Sequence, residues 1–230
     1  MSIPNELLLI LTLPVYYGMA VLAYRLLGRA GIYAFTAFAT IVANIEVLAL
    51  VEAFGLQMTL GNVLFATIFT CSEILCEMEN EKAAKLTVPI SAGVTVLFAI
   101  LAQSWTWYTT DASTTILSSF ANAPRVLIAS LLVNVISQYV QIWVYERIWT
   151  VQKRSLAGLW IRSNGATLIA QLVNTILFTV FAFAGIFDTT TLWQVMLTSY
   201  TIFIVTSLFD TPVLYFTRWL ERRWPKSKAA

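Results

Sequence analysis

The chain contains no histidine. That removes the commonest metal ligand and the one side chain that titrates near neutrality unaided. Haem, most zinc and copper sites and histidine proton relays are thereby excluded. Charge is scarce as well: Asp, Glu, Lys and Arg make up 11% of the residues, where a soluble domain carries about 25%. The two cysteines, Cys71 and Cys76, sit five apart on one predicted helix and point in different directions. They suit neither a disulfide nor a metal pair. There is no Gly-x-Ser-x-Gly stretch, so an intramembrane hydrolase would have only an acid pair such as Glu73 and Asp210 to work with. The expectation is a non-enzyme without a cofactor.

What fills the chain is apolar: 59% of its 230 residues, with a mean hydropathy of +0.77. The apolar runs are about 20 residues long and recur, which describes an all-α, polytopic membrane bundle. Its partner is the lipid bilayer and not a nucleic acid. Seven segments can be drawn: Glu6 to Leu27, Ile32 to Phe54, Met58 to Met78, Leu86 to Tyr108, Val126 to Trp149, Ala157 to Phe187 and Leu192 to Trp219. The first is too long for a signal peptide and lacks a basic start, so it reads as retained. Residues 1–230 form one transmembrane domain with no room for a separate soluble one.

Lys and Arg set the expected orientation. Arg25 and Arg29, Lys82 and Lys85, Arg147, Lys153 and Arg154, then Arg218, Arg222, Arg223, Lys226 and Lys228 all fall on one side of seven spans. Arg162 lies just inside the sixth segment, and Arg125 alone marks the other side. This predicts a multi-pass protein of the cell membrane with an external N-terminus and a cytoplasmic C-terminus. Trp105, Trp107, Tyr108, Trp149 and Trp219 stand at segment ends as interfacial anchors. The Ser/Thr/Ala-rich stretch from Thr109 to Pro124 forms an outer loop.

The polar residues inside these segments are ordered. On the third, Glu73 and Glu77 lie one turn apart, and the same face continues back through Thr70, Ala66 and Asn62. The fifth carries Ser130, Asn134, Ser137, Gln138, Gln141 and Tyr145 at helical spacing; the sixth carries Asn164, Thr167, Gln171 and Asn174. The second adds Asn44 and, on another face, Glu46; the seventh adds Thr206 and Asp210, just before Pro212. A single intramembrane amide is ordinary interhelical glue, worth about 0.6 kcal/mol. A buried carboxylate costs about 2.5–3.5 kcal/mol even on insertion scales. Three converging stripes of amides and acids therefore describe a polar cavity. Its expected lining is Glu73, Gln138, Gln171, Asn174, Asn44, Asn134, Gln141, Thr70, Thr167, Glu77 and Arg162. Glu73, Asp210 and Glu46 are the acids within spans and the candidates for ion coupling. An acid among neutral amides favours a ligand rich in hydrogen-bond donors. A guanine-like edge fits, because adjacent N–H and NH2 groups can be taken by one carboxylate.

At these residues the sequence resembles the queuosine precursor transporter family, also called the vitamin uptake transporter family. Thr59, Gly61, Glu73, Asn80, Ala84 and Lys85 fall on its third-helix pattern without a gap. Arg125, Ala129, Ser130, Gln138 and Arg147 fall on the fifth; Ala166, Thr167, Gln171, Asn174 and Thr175 fall on the sixth. Asn44 matches an Asn in the first core helix. The resemblance implies import of a small purine-like substrate, a 7-deazaguanine such as 7-cyano- or 7-aminomethyl-7-deazaguanine, for tRNA modification. It also implies a core of six helices, residues 29–224, resembling the substrate-binding components of energy-coupling-factor transporters. Residues 1–28 are then an added N-terminal helix and 225–230 a cytoplasmic tail. Glu73 stands where the family has Asp, Asn174 where it has Asp and Ile202 where it has Lys, while Glu46 and Asp210 are additional acids.

Two transport readings stay open. One is a stand-alone carrier. The other is a binding component of an ATP-driven vitamin or nucleobase uptake system, for which Ala39 and Ala43 on the second segment offer a small-residue docking face. A homodimer is compatible with either. A retinal protein is excluded, because the lysines lie outside the spans and none can form a Schiff base in the last one.

Overall fold

The computed structural model describes residues 4–47, 49–53, 55–105, 124–153, 155, 157–186 and 188–224. Trp107, Tyr108, the outer loop after them, Arg154, and Lys226 and Lys228 of the tail lie outside the described residues. Seven long helices account for most of the rest: α1 (Asn5–Leu27), α2 (Arg29–Glu46), α3 (Gly61–Met78), α5 (Thr87–Trp105), α6 (Pro124–Val151), α7 (Leu159–Phe183) and α8 (Thr189–Arg223). The short α4 (Glu81–Lys85) precedes α5, and Asn80 caps it by accepting the Ala83 N–H at 2.9 Å. Among the described residues, six helical stretches are long and apolar enough to cross a membrane. The seventh long helix, α2, has 18 residues and turns Thr36, Thr40 and Asn44 inward.

The second segment departs most from expectation. Its apolar run predicts helix to Phe54, with the third segment starting at Met58. Instead, strands β1 (Leu50–Ala53) and β2 (Leu56–Thr59) pair antiparallel, Ala53 opposite Leu56 and Leu50 opposite Thr59. The two-residue connection needs a positive φ, and Gly55 supplies it at 70°. The apolar run hid the turn. A two-stranded hairpin pairs only its facing backbone groups, so its outer edges need partners from the protein or from water at the membrane boundary.

The centre of the bundle is α3. Its apolar window is 78% buried, against 17–50% for the other five membrane-length helices. Packed around it are α1, α2, α6 and α8. It approaches α2 closely because Gly61 has no side chain: a Cβ there would lie 2.7 Å from the Ala43 carbonyl oxygen. Ala39 and Ala43 are fully buried in the same core. The outward faces carry Leu8, Leu11, Val15 and Leu22 on α1 and Leu197, Val205 and Leu208 on α8, all exposed. Apolar residues thus face outward to lipid as well as inward, while the polar stripes face inward.

One end of the bundle is basic. Arg25 of α1 pairs with Glu221 of α8 at 3.2 Å, and the Tyr24 hydroxyl donates to Glu79, just past α3, at 3.1 Å. The charge asymmetry predicted this gathering of helix ends. At the opposite end, Arg125 donates to the carbonyls of Phe181 and Ala184 at 2.8 and 2.7 Å, covering the C-terminal turn of α7. There too Asp188 caps α8 by accepting the N–H groups of Thr190 and Thr191. Its bonds to Thr191 hold this exposed carboxylate below its usual range, so the cap weakens only as acid protonates it.

Candidate functional site

Glu73 sits on the inward face of α3, 1% exposed. Three donors from two helices converge on it. Ser163 Oγ of α7 reaches Oε2 at 2.6 Å. Thr167 Oγ1 of α7 and Gln141 Nε2 of α6 reach Oε1 at 2.7 and 3.1 Å. All three partners are neutral. The carboxylate is thus solvated by protein dipoles and keeps acceptor capacity, since two oxygens offer about four lone-pair sites.

The Gln141–Thr167 contact, 3.3 Å, fixes the register of the antiparallel α6–α7 pair. Moving two turns away from the basic end brings Asn134 level with Asn174. These two line a cleft with Asn62 and Phe65 of α3, and Ser130 and Phe178 complete that part of its wall. The cleft holds about 30 Å³ of water-accessible space, room for about two waters. A fused bicyclic ligand would require α3, α6 and α7 to separate. Gln171, between Thr167 and Asn174 on α7, is fully buried, and neither end of its amide has a partner. Asn134 Nδ2 and Gln141 Oε1 are likewise buried without partners. Each such atom costs about 1–3 kcal/mol.

The predicted lining does not act as a single group. Thr167, Gln141, Asn134 and Asn174 follow the path from Glu73 to the cleft. Gln138, also fully buried, turns to α5 instead. Its Nε2 donates to Ser91 Oγ and to Asn134 Oδ1, each at 2.9 Å, and its Oε1 accepts from Thr87 at 3.4 Å. Thr87 bonds in turn to Ser72, next to Glu73. Asn44 is further along the same side, donating to Thr40 O at 2.8 Å and to Thr95 Oγ1 at 3.5 Å. Asn164 leaves the α7 stripe for α8, donating to Thr211 Oγ1 at 2.6 Å.

Thr70 belongs to a second cluster. Its hydroxyl and that of Tyr17 of α1 both donate to Asp210 Oδ1, at 2.7 and 2.6 Å. Glu46, half-buried at the end of α2, accepts from Tyr16 at 3.3 Å, away from Glu73.

Glu77 and Arg162 face each other below Glu73, toward the basic end. Arg162 is fully buried and Glu77 nearly so. The guanidinium reaches both carboxylate oxygens: Nε donates to Oε2 at 3.0 Å, and Nη2 lies 2.9 Å from both Oε1 and Oε2. Glu77 also accepts from Tyr145 at 2.6 Å and pairs with Arg218 of α8. Arg162 further donates to the carbonyls of Ser155 and Ala157 and lies over the Trp149 ring, 4.9 Å from its centroid. The pair closes the basic end by joining α3, α6, α7 and α8.

Sequence reasoning missed four of these participants. Ser163 lies four residues before Thr167, so extending the α7 stripe by one turn finds it. Tyr145 was in the α6 stripe but was not assigned to the site. Arg218 read as a tail charge. Tyr17 gave no signal, being one aromatic in an apolar helix.

Comparison with known proteins gives a family. The family described as "Putative vitamin uptake transporter" matches residues 59–217. A curated relative from Bacillus subtilis (strain 168), named "Probable queuosine precursor transporter", is 31% identical over 205 residues, covering 87% of this chain and 89% of its own. No solved structure matches.

Proposed function

Because this chain belongs to the vitamin uptake transporter family, we propose that it is a membrane transporter importing a queuosine precursor of the 7-deazaguanine class. One observation supports the reading: Glu73 is a buried carboxylate with neutral partners, about two helical turns along α3 from Phe65, which borders the cleft with Asn62, Asn134 and Asn174. Such a carboxylate suits a neutral heterocycle with paired N–H donors. Glu73 takes that pair once one of its three protein donors gives way, and Gln171, Asn174, Asn134 and Gln141 serve the carbonyl and ring nitrogens. Gln138 and Asn44 support the wall from the α5 side. Glu77 and Arg162 form the floor that must open for release toward the basic end. Glu73 and Asp210 are the proposed coupling acids, with Glu46 a more distant third.

The stand-alone carrier is preferred to a component of an ATP-driven system. The small-residue face of Ala39 and Ala43, the one feature that suggested docking, is occupied inside the bundle by α3. Liposomes containing only this protein should accumulate 7-cyano- or 7-aminomethyl-7-deazaguanine, and adenine should not compete. Absence of uptake by wild-type protein, together with no thermal stabilisation by either compound, would discard the substrate assignment.

The N-terminus is proposed to be external and the basic end cytoplasmic. In intact cells, a cysteine introduced by Lys153→Cys should stay unlabelled by a membrane-impermeant maleimide and react after permeabilisation. Labelling before permeabilisation would invert the orientation.

A further inference from the structure

The family match begins at residue 59, so α1 lies before it, as an addition to the six-helix core would. Its contacts make it more than a covering. Tyr17 is 3% exposed and donates to Asp210 Oδ1 at 2.6 Å, across 193 positions of sequence. Thr70 of α3 donates to the same oxygen at 2.7 Å. Three helices, α1, α3 and α8, thus meet on one carboxylate oxygen, one helical turn from Glu73. A carbonyl-type oxygen has two lone pairs, and these two hydroxyls fill both. Asp210 Oδ2 is buried with no partner. Two residues further on, Pro212 lies inside α8, where it removes a backbone N–H and loosens the helix. The titratable groups facing Asp210 are Tyr17 from α1 and Cys71 and Glu73 from α3. From α7 the nearby group is neutral Asn164, bonded to Thr211.

We infer that Tyr17 is a positioning residue for Asp210: it and Thr70 hold Oδ1, so a coupling proton binds on Oδ2, and α1 is a working part of the transporter. This rests on the transport reading for its consequence but not for its geometry. The proton comes from solvent: one O–H bond of hydronium breaks, one forms on Asp210 Oδ2, and the carboxylate becomes neutral.

The test is Tyr17→Phe, which keeps the ring and removes the donor. In liposomes, its uptake of 7-cyano-7-deazaguanine should show an unchanged KM, a maximal rate lower by about tenfold, as loss of a bond to a charged group implies, and a displaced pH profile. In an Asp210→Asn background the same change should do far less, because the two residues act as one unit. A second measurement needs no transport. In acidified samples, the infrared carbonyl band of protonated Asp210, identified by its loss in Asp210→Asn, should move to higher frequency in Tyr17→Phe. An unmoved band overturns the inference, whatever the substrate. So does a Tyr17→Phe protein with wild-type rate and pH profile, or effects that multiply fully in the double variant. If wild-type protein imports no deazaguanine, the functional reading fails, while the band still decides the role of Tyr17.

Discussion

Glu73→Gln is expected to bind 7-deazaguanines at least about tenfold more weakly than wild type, and to stop distinguishing ligands with and without the exocyclic amine. The side chains are nearly isosteric, so packing around α3 survives. The change replaces one acceptor oxygen with an NH2 group. That group cannot take donors from the ligand, and it faces Ser163 on one side or Thr167 and Gln141 on the other. A buried polar group left unpaired costs about 1–3 kcal/mol, and 1.4 kcal/mol is a factor of ten. Wild-type protein should therefore bind the ligand lacking the amine about tenfold more weakly, and Glu73→Gln should bind the two alike. Calorimetric titration of purified protein with both ligands reads this directly. A variant that discriminates as well as wild type would move recognition to Gln171 and the cleft. The same variant should also lose the part of the pH dependence of uptake that Glu73 carries, leaving the part that Asp210 carries, while still exchanging substrate.

The second large effect is on stability. Glu77→Ala is expected to destabilise the protein by about 3–5 kcal/mol, the penalty of leaving buried charge uncompensated. The carboxylate holds Arg162 by both oxygens, accepts from Tyr145 and pairs with Arg218. Its removal takes the shared carboxylate away from two guanidinium groups at a junction of four helices. Glu77→Gln should fall between Ala and wild type, since an amide oxygen still accepts. Adding Arg162→Leu to Glu77→Ala should recover part of the loss, because a well-packed apolar group replaces a buried ion more cheaply than a vacancy does. Thermal unfolding in detergent measures all three. A Glu77→Ala protein as stable as wild type would show that the cluster contributes nothing net.

These two residues also show what the sequence could and could not tell. Glu73 was legible because a carboxylate within an apolar helix has no bland explanation at its depth. Helical spacing then placed Thr167, Gln141 and Asn174 on faces that could meet it. Spacing fixes a face, however, and not the partner across it. Gln138 and Gln141 sit three residues apart in one stripe, yet one turns to α5 and the other to Glu73. Glu77 and Arg162 were both singled out, but as ligand contacts, because nothing in either helix says that the two ends close on each other. Tyr17 was invisible: a phenol in an apolar run reads as core or anchor until the fold sets a carboxylate against it. The hairpin was hidden for a related reason. Residues on both sides of Gly55 are apolar, so periodicity could not mark where helix stopped.

That hairpin leaves α2 with 18 residues, about 27 Å of helix, while α8 has 35, about 52 Å. No flat slab of hydrocarbon about 30 Å thick can match both. The longer helix exceeds such a slab and has to lean or project, whereas a bilayer that met the shorter one at full depth would have to thin by the remaining few ångströms.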